Sequence, residues 1–486
     1  MNKISLRKNI RSLIFIILAL GISMFIINVK LPDSIIKIRG SSLSSSGQTI
    51  IGIMIFALIL WITEAIPFHI TGLLSIFLLT IFQVDSFKNI VKVGFGSDIF
   101  VFFIGVLILS AFISRSGLGR RISVFILSKT GNKTSIIILG FLVAGALLSM
   151  WVAAMAVAAI FMPLGKAILE EEGVEPLKSN FGKALMIATA WGPTIGGIAT
   201  PAGNGANPIA MGFLKDMAGI NLTFTDWMIF GVPTAIMLII PSWLLLLLFF
   251  KPEIKTLSKS TEELKKEFKN YPKMNHEEIS TVIIFIITVV MWLSTPLLEK
   301  WLNIEIPISM PVMFTACLFF LPFVSGIKWK EIEHSISWSG ILLIASGISL
   351  GIMLYKTGAA EWLSIVLLGG IGNLNPVVQI FTVVLITALL KVIFSSNTVT
   401  ATVLVPILIA LAINLGIDPL AITLPAAITS SQGFILITSS PTNLIPYSAG
   451  YFSVKDFAKS GVVITIVSTV IMTVTIYVIG SLTHLY

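Results

Sequence analysis

A short polar segment interrupts an apolar stretch in the second half of this 486-residue chain. Ser396, Asn397 and Thr398 lie between mostly apolar flanks at residues 377–394 and 399–415. Their hydroxyl and amide groups donate hydrogen bonds to carboxylate oxygens, and the same oxygens, with backbone carbonyls, can ligate a hard cation such as Na⁺. Each flank is short for a full membrane crossing once the polar residues lie at mid-depth. We therefore expect a re-entrant helical hairpin whose tip binds an anion and a cation.

Two further segments combine helix-breaking and polar residues. Residues 196–208 contain four Gly, two Pro and two Asn, so we expect a helix to unwind there and to expose its backbone dipoles. Residues 438–443, which read Thr-Ser-Ser-Pro-Thr-Asn, should unwind in the same way. An ordinary kinked helix is the alternative for this second segment. Unwound backbone at mid-membrane depth is typical of transporters, where it faces a cavity.

The polar hairpin has a counterpart in the first half of the chain. Residues 152–158 align without gaps on residues 395–401, at an offset of 243 positions (395 minus 152), and a Pro follows each run five residues later. Each copy is followed by a second matching element, at residues 204–207 and 440–443. A lone polar triplet in a membrane helix more often serves helix packing. The duplication favours a site built by two repeats.

The composition predicts a membrane protein. Of all residues, 56% are hydrophobic and 11% charged, with a mean hydropathy of +1.00, whereas a soluble domain carries about 25% charged residues. The first apolar stretch, residues 12–29, follows several basic residues but is too long for a signal peptide and lacks a small-residue cleavage site, so we expect a retained helix. The pattern predicts an all-α polytopic membrane protein with about 11 transmembrane helices.

Two basic segments predict the orientation of these helices. Residues 3–11 are rich in Lys and Arg, and residues 251–273 carry seven Lys against four Glu, which is typical of cytoplasmic segments. If both segments are cytoplasmic, the chain crosses the membrane an even number of times between them. The first helix is one of these crossings, so the first repeat begins outside and the second begins in the cytoplasm, and the two repeats are inverted. The N-terminus is then cytoplasmic and the C-terminus lies outside. We expect location in the cell inner membrane.

The expected divisions are residues 1–48, the first helix and an extracytoplasmic loop; 49–250, the first repeat, with a hairpin at about 134–168 and an unwound helix at about 181–216; 251–277, a cytoplasmic linker; and 278–486, the second repeat, with a hairpin at about 375–412 and an unwound helix at about 420–452.

Other classes of function find no support in the residue pattern. The net charge of +9 comes from Lys and Arg scattered through loops rather than gathered on one face, so we expect no nucleic-acid partner. Cys317 has no second cysteine to pair with. The four His residues are too separated in sequence for a metal cluster or a nucleophilic triad. We therefore do not expect an enzyme.

These elements together resemble the divalent anion/sodium symporter family, which includes the sodium-coupled dicarboxylate and citrate carriers, over nearly the whole chain. The stretches that carry the resemblance are Trp61-Ile62-Thr63-Glu64-Ala65-Ile66-Pro67, Ser149-Met150-Trp151, Gly197-Ile198-Ala199-Thr200-Pro201-Ala202-Gly203, Trp338-Ser339-Gly340-Ile341-Leu342-Leu343 and Ser396-Asn397-Thr398-Val399-Thr400. The resemblance implies a homodimer in which each protomer has a fixed scaffold domain and a mobile transport domain that moves substrate like an elevator. It also implies that each hairpin tip carries a Ser-Asn-Thr triplet, which contacts substrate carboxylates and pairs with its unwound helix to bind one Na⁺.

Carried over residue by residue, the resemblance assigns roles around both tips. The candidates for substrate binding are Ser396, Asn397, Thr398, Asn204, Pro201, Ser440, Thr442 and Asn443. The candidates for sodium are Ser395, Asn397 and Ser439 at a second site and Ser149 and Gly203 at a first site. The first triplet is replaced by Ala153-Ala154-Met155. We therefore expect the first sodium site to be degenerate, because Na⁺ would lose polar ligands and a hard cation takes about six oxygens.

Lys391 stands out in the otherwise apolar arm that precedes the second tip. An intramembrane ammonium costs several kcal/mol unless it is paired or faces a pathway, and position 392, here Val, lacks a hydroxyl that the family often has. One hypothesis is that Lys391 replaces Na⁺ at the second site and can load and release a proton. The alternative is that it extends toward an interface without a functional role. Glu64, at the end of a span, is expected to cap or anchor a helix end rather than to bind substrate.

The predicted function is secondary active transport of small organic anions, C4-dicarboxylates first, with at most one intact sodium site. Coupling to one Na⁺, coupling to H⁺ through Lys391 and exchange without a cation stay open. The loss of polar groups at the first tip also admits a monovalent or partly apolar anion, an asymmetric dicarboxylate or another small anion such as sulfate. The alternative from another class is a non-transporting membrane scaffold or receptor subunit.

Overall fold

The computed structural model describes residues 3–38, 40–257 and 272–485. Within these residues the secondary structure is helical apart from one small sheet, the antiparallel strands Lys37–Ile38 and Ser41–Ser42. The middle of the expected linker at 251–277 lies outside the described residues.

The helices alternate membrane-length segments with shorter ones. In the first half they are Lys3–Asn28, Asp33–Ile36, Ser45–Thr63, Phe68–Ile81, Phe87–Phe95, Asp98–Arg115, Leu118–Leu127, Thr134–Ser149, Ala154–Glu171, Asn180–Gly196, Ala206–Ala218 and Phe224–Phe249. In the second half they are His276–Leu302, Ser309–Leu318, Trp329–Ile332, Trp338–Lys356, Ala359–Leu368, Pro376–Ile393, Asn397–Leu415, Pro419–Ser430, Pro441–Ser448 and Val454–Leu482. Short 3₁₀ turns lie at Glu333–Ser335, Ile371–Asn373 and Ile437–Ser439.

The two halves share one order of elements. After the first two helices of the chain, Lys3–Asn28 and Asp33–Ile36, each half has two helices, a short helix, a long helix, a short helix, a hairpin of two helices, a broken helix in two pieces and a long final helix. The second helices of the two hairpins, Ala154–Glu171 and Asn397–Leu415, begin 243 positions apart (397 minus 154), which is the offset of the sequence alignment. The duplication expected from the sequence is therefore present in the fold.

The number of membrane crossings agrees with the prediction. Nine helices in the described ranges are long and apolar enough to cross a membrane. Two of them, Pro376–Ile393 and Asn397–Leu415, are the arms of the second hairpin, which leaves seven single crossings. The shorter apolar helices Phe68–Ile81 and Ser309–Leu318 occupy equivalent places in the two halves, and with the two broken helices they bring the count to eleven. The all-α polytopic fold is confirmed.

The hairpins pack against the broken helices, and the two halves interlock there. Helix Thr134–Ser149 packs along Asn180–Gly196. Helix Asn397–Leu415 packs on both Pro419–Ser430 and Ala206–Ala218. Because Ala206–Ala218 belongs to the first half, both repeats position the second hairpin.

Close backbone packing between the first hairpin and the first broken helix requires a glycine at position 196. A Cβ on Gly196 would lie 2.0 Å from the carbonyl oxygen of Ala146, and a backbone oxygen cannot swing aside as a side chain can. We expect Gly196→Ala to destabilise the protein by about 1–3 kcal/mol, the usual cost of overpacking, measured as a lower midpoint of thermal unfolding in detergent. Gly21→Ala, where no described atom lies within 4 Å, is the matched control. Equal midpoints for the two variants would contradict this packing.

The described start of the linker holds the beginning of the first broken helix. Glu253 accepts hydrogen bonds from the backbone N–H groups of Asn180 at 3.0 Å and Phe181 at 3.1 Å, and from the Ser179 hydroxyl. Burial raises the pKa of Glu253, but these hydrogen bonds outweigh burial and hold the pKa below its ordinary value. A carboxylate is also favourable at a helix N-terminus. The linker is thereby fastened to an element that carries part of the candidate site.

Candidate functional site

The two hairpin tips share a backbone construction. Residues 394–396 join the helices of the second hairpin, and residues 150–153 join those of the first. Ser396 is the N-cap of its helix, and its Oγ accepts a hydrogen bond from the Val399 N–H at 3.4 Å. Ala153 is the N-cap at the equivalent place and has no side-chain oxygen to do so. The tips match in geometry and differ in side-chain chemistry.

The first broken helix unwinds within the segment that the composition predicts. The second unwinds earlier in the chain than predicted, because Pro441 starts the next helix and residues 441–443 are helical. Helical structure stops at Gly196 and resumes at Ala206 in the first half. In the second half it stops at Ser430 and resumes at Pro441, with one 3₁₀ turn between. Ser440 caps this restart, since its Oγ accepts a hydrogen bond from the Thr442 N–H at 3.3 Å. The second segment is thus a true break, and the alternative of an ordinary kinked helix is wrong.

One asparagine organises each unwound segment in the same way. Asn207 Nδ2 donates to the carbonyl oxygens of Gly197 at 2.9 Å and Thr200 at 2.8 Å, ten and seven residues earlier. Asn443 Nδ2 donates to carbonyl oxygens at the same two spacings, 2.7 Å and 3.2 Å away. Both hydrogens of the Asn443 amide are engaged in its own loop, so they position that loop. The substrate contact expected of Asn443 stays a prediction. The sequence carried a signal for this pair, because Asn ends both matching elements.

The two asparagines differ in what their oxygens meet. Asn207 Oδ1 accepts a hydrogen bond from Ser431 Oγ of the second half at 3.0 Å. Ile195 is the first-half equivalent of Ser431, because it lies as far before Ser431 as Asn207 lies before Asn443. Ile195 has no side-chain hydrogen-bond donor. Asn443 Oδ1 is buried and has no hydrogen-bond partner within the described ranges. The Asn207–Ser431 hydrogen bond therefore joins the two unwound segments across the halves, and among the described residues Asn443 Oδ1 makes no equivalent bond.

The polar tip of the second hairpin lies against the first unwound segment. A Cβ placed on Gly205 would be 2.8 Å from Thr398 Oγ1 and 3.2 Å from the Phe103 ring. Asn204, one residue earlier, uses its Oδ1 to accept a hydrogen bond from the Ala206 N–H at 3.1 Å, so its amide hydrogens remain for a ligand. The tertiary structure thus places Thr398 of one half against Gly205 of the other, the residue that follows the predicted substrate contact Asn204.

Lys391 lies inside the protein, between the second hairpin and the second unwound segment. Its side chain is 2% exposed, and its Nζ donates to the carbonyl oxygens of Ser439 at 2.7 Å and Phe394 at 3.2 Å. No carboxylate of the described residues forms an ion pair with it. The alternative in which Lys391 extends toward an interface is therefore wrong. The buried ammonium is hydrogen-bonded by backbone carbonyl oxygens, which are also ligands for a hard cation such as Na⁺.

Glu64 contacts the second tip, a contact that the sequence did not suggest. Glu64 is the C-cap residue of helix Ser45–Thr63, with a left-handed φ of 50°. It therefore lies at a helix end, as expected from the sequence. Its Oε1 accepts a hydrogen bond from Ser395 Oγ at 2.8 Å. Ser395, a sodium candidate, therefore directs its hydroxyl hydrogen to a carboxylate of a distant helix. The signal available in the sequence was an acidic residue beside an apolar span.

The first tip retains few polar side chains. Ser149 is fully buried, and its Oγ has no hydrogen-bond partner in the described part of the chain. Gly203 packs so closely that its Cβ would lie 2.8 Å from the carbonyl oxygens of both Ser149 and Gly197. The Thr200 hydroxyl donates to the Met150 carbonyl, which closes the tip onto the unwound segment. The Ser149 hydroxyl and nearby carbonyls can supply oxygen ligands to Na⁺, although Asn207 already engages the Gly197 carbonyl.

The remaining predicted site residues lie at the same junctions. Asn397 Oδ1 is buried and unpartnered among the described atoms, as expected of a group that meets a ligand. Thr442 is 4% exposed beside the second restart, and Pro201 is buried in the first unwound segment. Residues 150–155 and 394–398 carry no charged side chain. The neutral donors of the second tip therefore lie between two charged side chains that bond to it, Lys391 and Glu64.

Comparison with known proteins gives one family over almost the whole length. The family described as "Sodium:sulfate symporter transmembrane region" matches residues 14–484. The chain is 31% identical over 480 residues to a sodium-dependent dicarboxylate transporter SdcS of Staphylococcus saprophyticus, covering 95% of this chain and 90% of that protein. It is 30% identical over 452 residues to the protein of the same name from Staphylococcus aureus, covering 89% and 85%.

Solved structures share the fold at low sequence identity. The YdaH transporter of Alcanivorax borkumensis matches with a TM-score of 0.56 and 12% identity, over 97% of this chain and 98% of that one. MtrF of Neisseria gonorrhoeae matches with a TM-score of 0.58 and 14% identity, over 96% and 94%. At these identities the likeness concerns the fold alone.

Proposed function

Because the chain belongs to the divalent anion/sodium symporter family, and is a secondary transporter of dicarboxylate-like anions rather than an enzyme, we propose that it carries small organic anions of the C4-dicarboxylate class. Relatives named as sodium-dependent dicarboxylate transporters support this substrate class. One observation carries the proposal: the triplet tip of the second hairpin meets the unwound segment of the first half at Thr398 and Gly205. Donors from two opposed elements then converge where a carboxylate can bind.

The donors at this junction suit a carboxylate. Ser396, Asn397 and Thr398 begin a helix of 19 residues, whose N-terminus favours an anion. Asn204 offers its amide hydrogens from the opposite side. Hydrogen bonds to an ionised acceptor are about twice as strong as neutral ones, so neutral donors suffice to hold the anion.

Lys391 serves as a resident cation at the second sodium position. The Ser439 and Phe394 carbonyls, which would otherwise face Na⁺, accept its hydrogen bonds. The fixed ammonium places one positive charge behind the polar tip in every transport state. At most one Na⁺ then binds, at Ser149 and Gly203 near the first tip, where three side-chain ligands are absent. Three modes of coupling are candidates: sodium symport as named for the relatives, anion exchange without a cation, and proton coupling through the Lys391 amine. The resident charge of Lys391 favours exchange without a cation over sodium symport.

The transport step follows the elevator scheme. The hairpins, the broken helices and the final helices of each half form the moving unit, since they pack on one another. The remaining helices form the scaffold, and the Glu64–Ser395 hydrogen bond joins the two units in the state described here. The protein works as a homodimer in the inner membrane, with its N-terminus in the cytoplasm and its C-terminus outside.

Counterflow in proteoliposomes tests this function. Purified protein is reconstituted with unlabelled succinate inside, and radiolabelled succinate is added outside, with and without Na⁺ and with a pH gradient in a third arm. We expect accumulation driven by internal succinate without Na⁺, and its loss in Asn397→Ala. Asn28→Ala, an exposed asparagine that bonds only within its own helix, is the matched control and should retain uptake. Failure of succinate, citrate and sulfate to accumulate under every gradient would overturn the proposal and favour a membrane scaffold.

A further inference from the structure

The two hairpin tips present opposite chemistry at equivalent positions. The second tip carries a hydroxyl, an amide and a hydroxyl, whereas Ala153, Ala154 and Met155 carry two methyl groups and a thioether. Met155 is 45% exposed, so its side chain is free to meet a ligand. A substrate held between the tips therefore faces hydrogen-bond donors at one end and hydrocarbon at the other.

An aromatic layer extends the apolar side of this junction. Trp151, at the first tip, stacks on Phe224 with ring centroids 6.0 Å apart and an angle of 8° between planes. Phe224 stacks in turn on Trp292 at 4.2 Å and 11°. Ala202, in the first unwound segment, belongs to the same buried cluster, and Phe103 packs against it. This layer is rigid, apolar and without a charge.

The polar and apolar sides meet at Gly205. A Cβ on Gly205 would lie 2.8 Å from the Thr398 hydroxyl oxygen and 3.2 Å from the Phe103 ring. Both groups are therefore close enough to contact the same atom. A carboxylate on the Thr398 side thus has its carbon chain directed along aromatic and methyl groups. Burial of apolar surface there contributes about 25 cal/mol per Å².

A second carboxylate on the substrate would be poorly served. The first tip has no donor side chain at its three positions, and an unpaired carboxylate in apolar surroundings is strongly unfavourable. Lys391 compensates a single negative charge.

We propose that the transporter prefers anions with one carboxylate and an apolar tail, such as unbranched or aryl-substituted monocarboxylates, over C4-dicarboxylates. The carboxylate binds Ser396, Asn397 and Thr398, and the tail lies against Met155, Trp151 and Phe103. This selectivity rests on the proposed function, because it uses the same site and the same transport step.

Competition in the counterflow assay tests the selectivity. Pentanoate, phenylacetate and succinate are compared as inhibitors of uptake and as ligands that raise the midpoint of thermal unfolding. We expect pentanoate or phenylacetate to act at about tenfold lower concentration than succinate, a ratio within what a few methylenes in an apolar pocket supply. Tighter action of succinate would overturn this inference and leave the proposed function standing. If none of the three anions binds or is exchanged, this inference falls, and the proposed function falls with it unless citrate or sulfate is exchanged.

A restored polar tip provides the reverse test. Ala153→Ser, Ala154→Asn and Met155→Thr together recreate the donors of the second tip, and we expect the preference to shift toward succinate by about tenfold. Met155→Thr alone, at a partly exposed side chain, keeps the test available if the triple variant fails to fold, and should shift the preference in the same direction. Met310→Thr, on another exposed methionine at 56% exposure, is the control and should leave it unchanged. An unaltered preference in folded Met155→Thr and in the folded triple variant would overturn the inference.

Discussion

Lys391→Met is expected to lower cation-independent anion exchange at least about tenfold while changing the midpoint of thermal unfolding little. The substitution keeps the length of the side chain but removes the positive charge that faces the Ser439 and Phe394 carbonyls. Loss of hydrogen bonds to these carbonyls destabilises the protein, whereas relief of a buried unpaired ammonium stabilises it, so the two effects oppose each other. Transport has no such compensation, because the anion loses the positive charge of Lys391.

The Na⁺ dependence of exchange by Lys391→Met tests whether Na⁺ can take the place of the ammonium. In Lys391→Met we expect added Na⁺ to restore part of the lost rate, since two carbonyl oxygens become available as ligands. Initial rates of succinate counterflow at increasing Na⁺ concentrations measure this. Lys166→Met is the matched control, because Lys166 also lies on a hairpin arm but is half exposed and pairs with Glu170 on the surface. Unaltered exchange in Lys391→Met would refute the role of Lys391 as resident cation.

Asn207→Leu is expected to destabilise the protein by at least about 3 kcal/mol and to abolish substrate-induced stabilisation. The substitution leaves two buried groups without their partner, the Gly197 carbonyl and the Ser431 hydroxyl, and removes one of the two hydrogen bonds to the Thr200 carbonyl, which keeps the Gly203 N–H. An unpaired buried polar group costs about 1–3 kcal/mol. The first unwound segment, which carries Asn204, then loses its geometry, and a carboxylate loses that side of the site.

The equivalent asparagine of the second half provides an internal comparison. Asn443→Leu leaves the Gly433 carbonyl without its partner and removes one of the two hydrogen bonds to the Leu436 carbonyl, and its Oδ1 has no partner to lose among the described residues. We therefore expect a smaller destabilisation, about 2 kcal/mol. Midpoints of thermal unfolding in detergent rank the two variants. A larger loss in Asn443→Leu than in Asn207→Leu would contradict the account of how the halves are bonded.

Most of the fold was predictable because the signals are local. Apolar length and clusters of Gly, Pro and Asn act through a few neighbouring residues, and they predicted the helices, the hairpins, the first unwound segment and the existence of the second, which lies at residues 431–440 rather than 438–443. The internal alignment predicted the repeat, since equal spacing of equivalent residues survives in the chain. The roles of Asn443 and Glu64 were not predictable, because their partners depend on packing.

The sequence by itself determined that this protein is a duplicated membrane bundle with a polar tip at Ser396, Asn397 and Thr398 and an apolar one at Ala153, Ala154 and Met155. Only the tertiary structure decided where Lys391 points, because a flexible four-carbon side chain near a helix end can reach either an interface or the interior. It also decided that Asn207 bonds to Ser431, 224 residues away, and that Thr398 and Phe103 meet at Gly205. These contacts join the two halves of the chain, and their geometry is set by helix packing rather than by neighbouring residues.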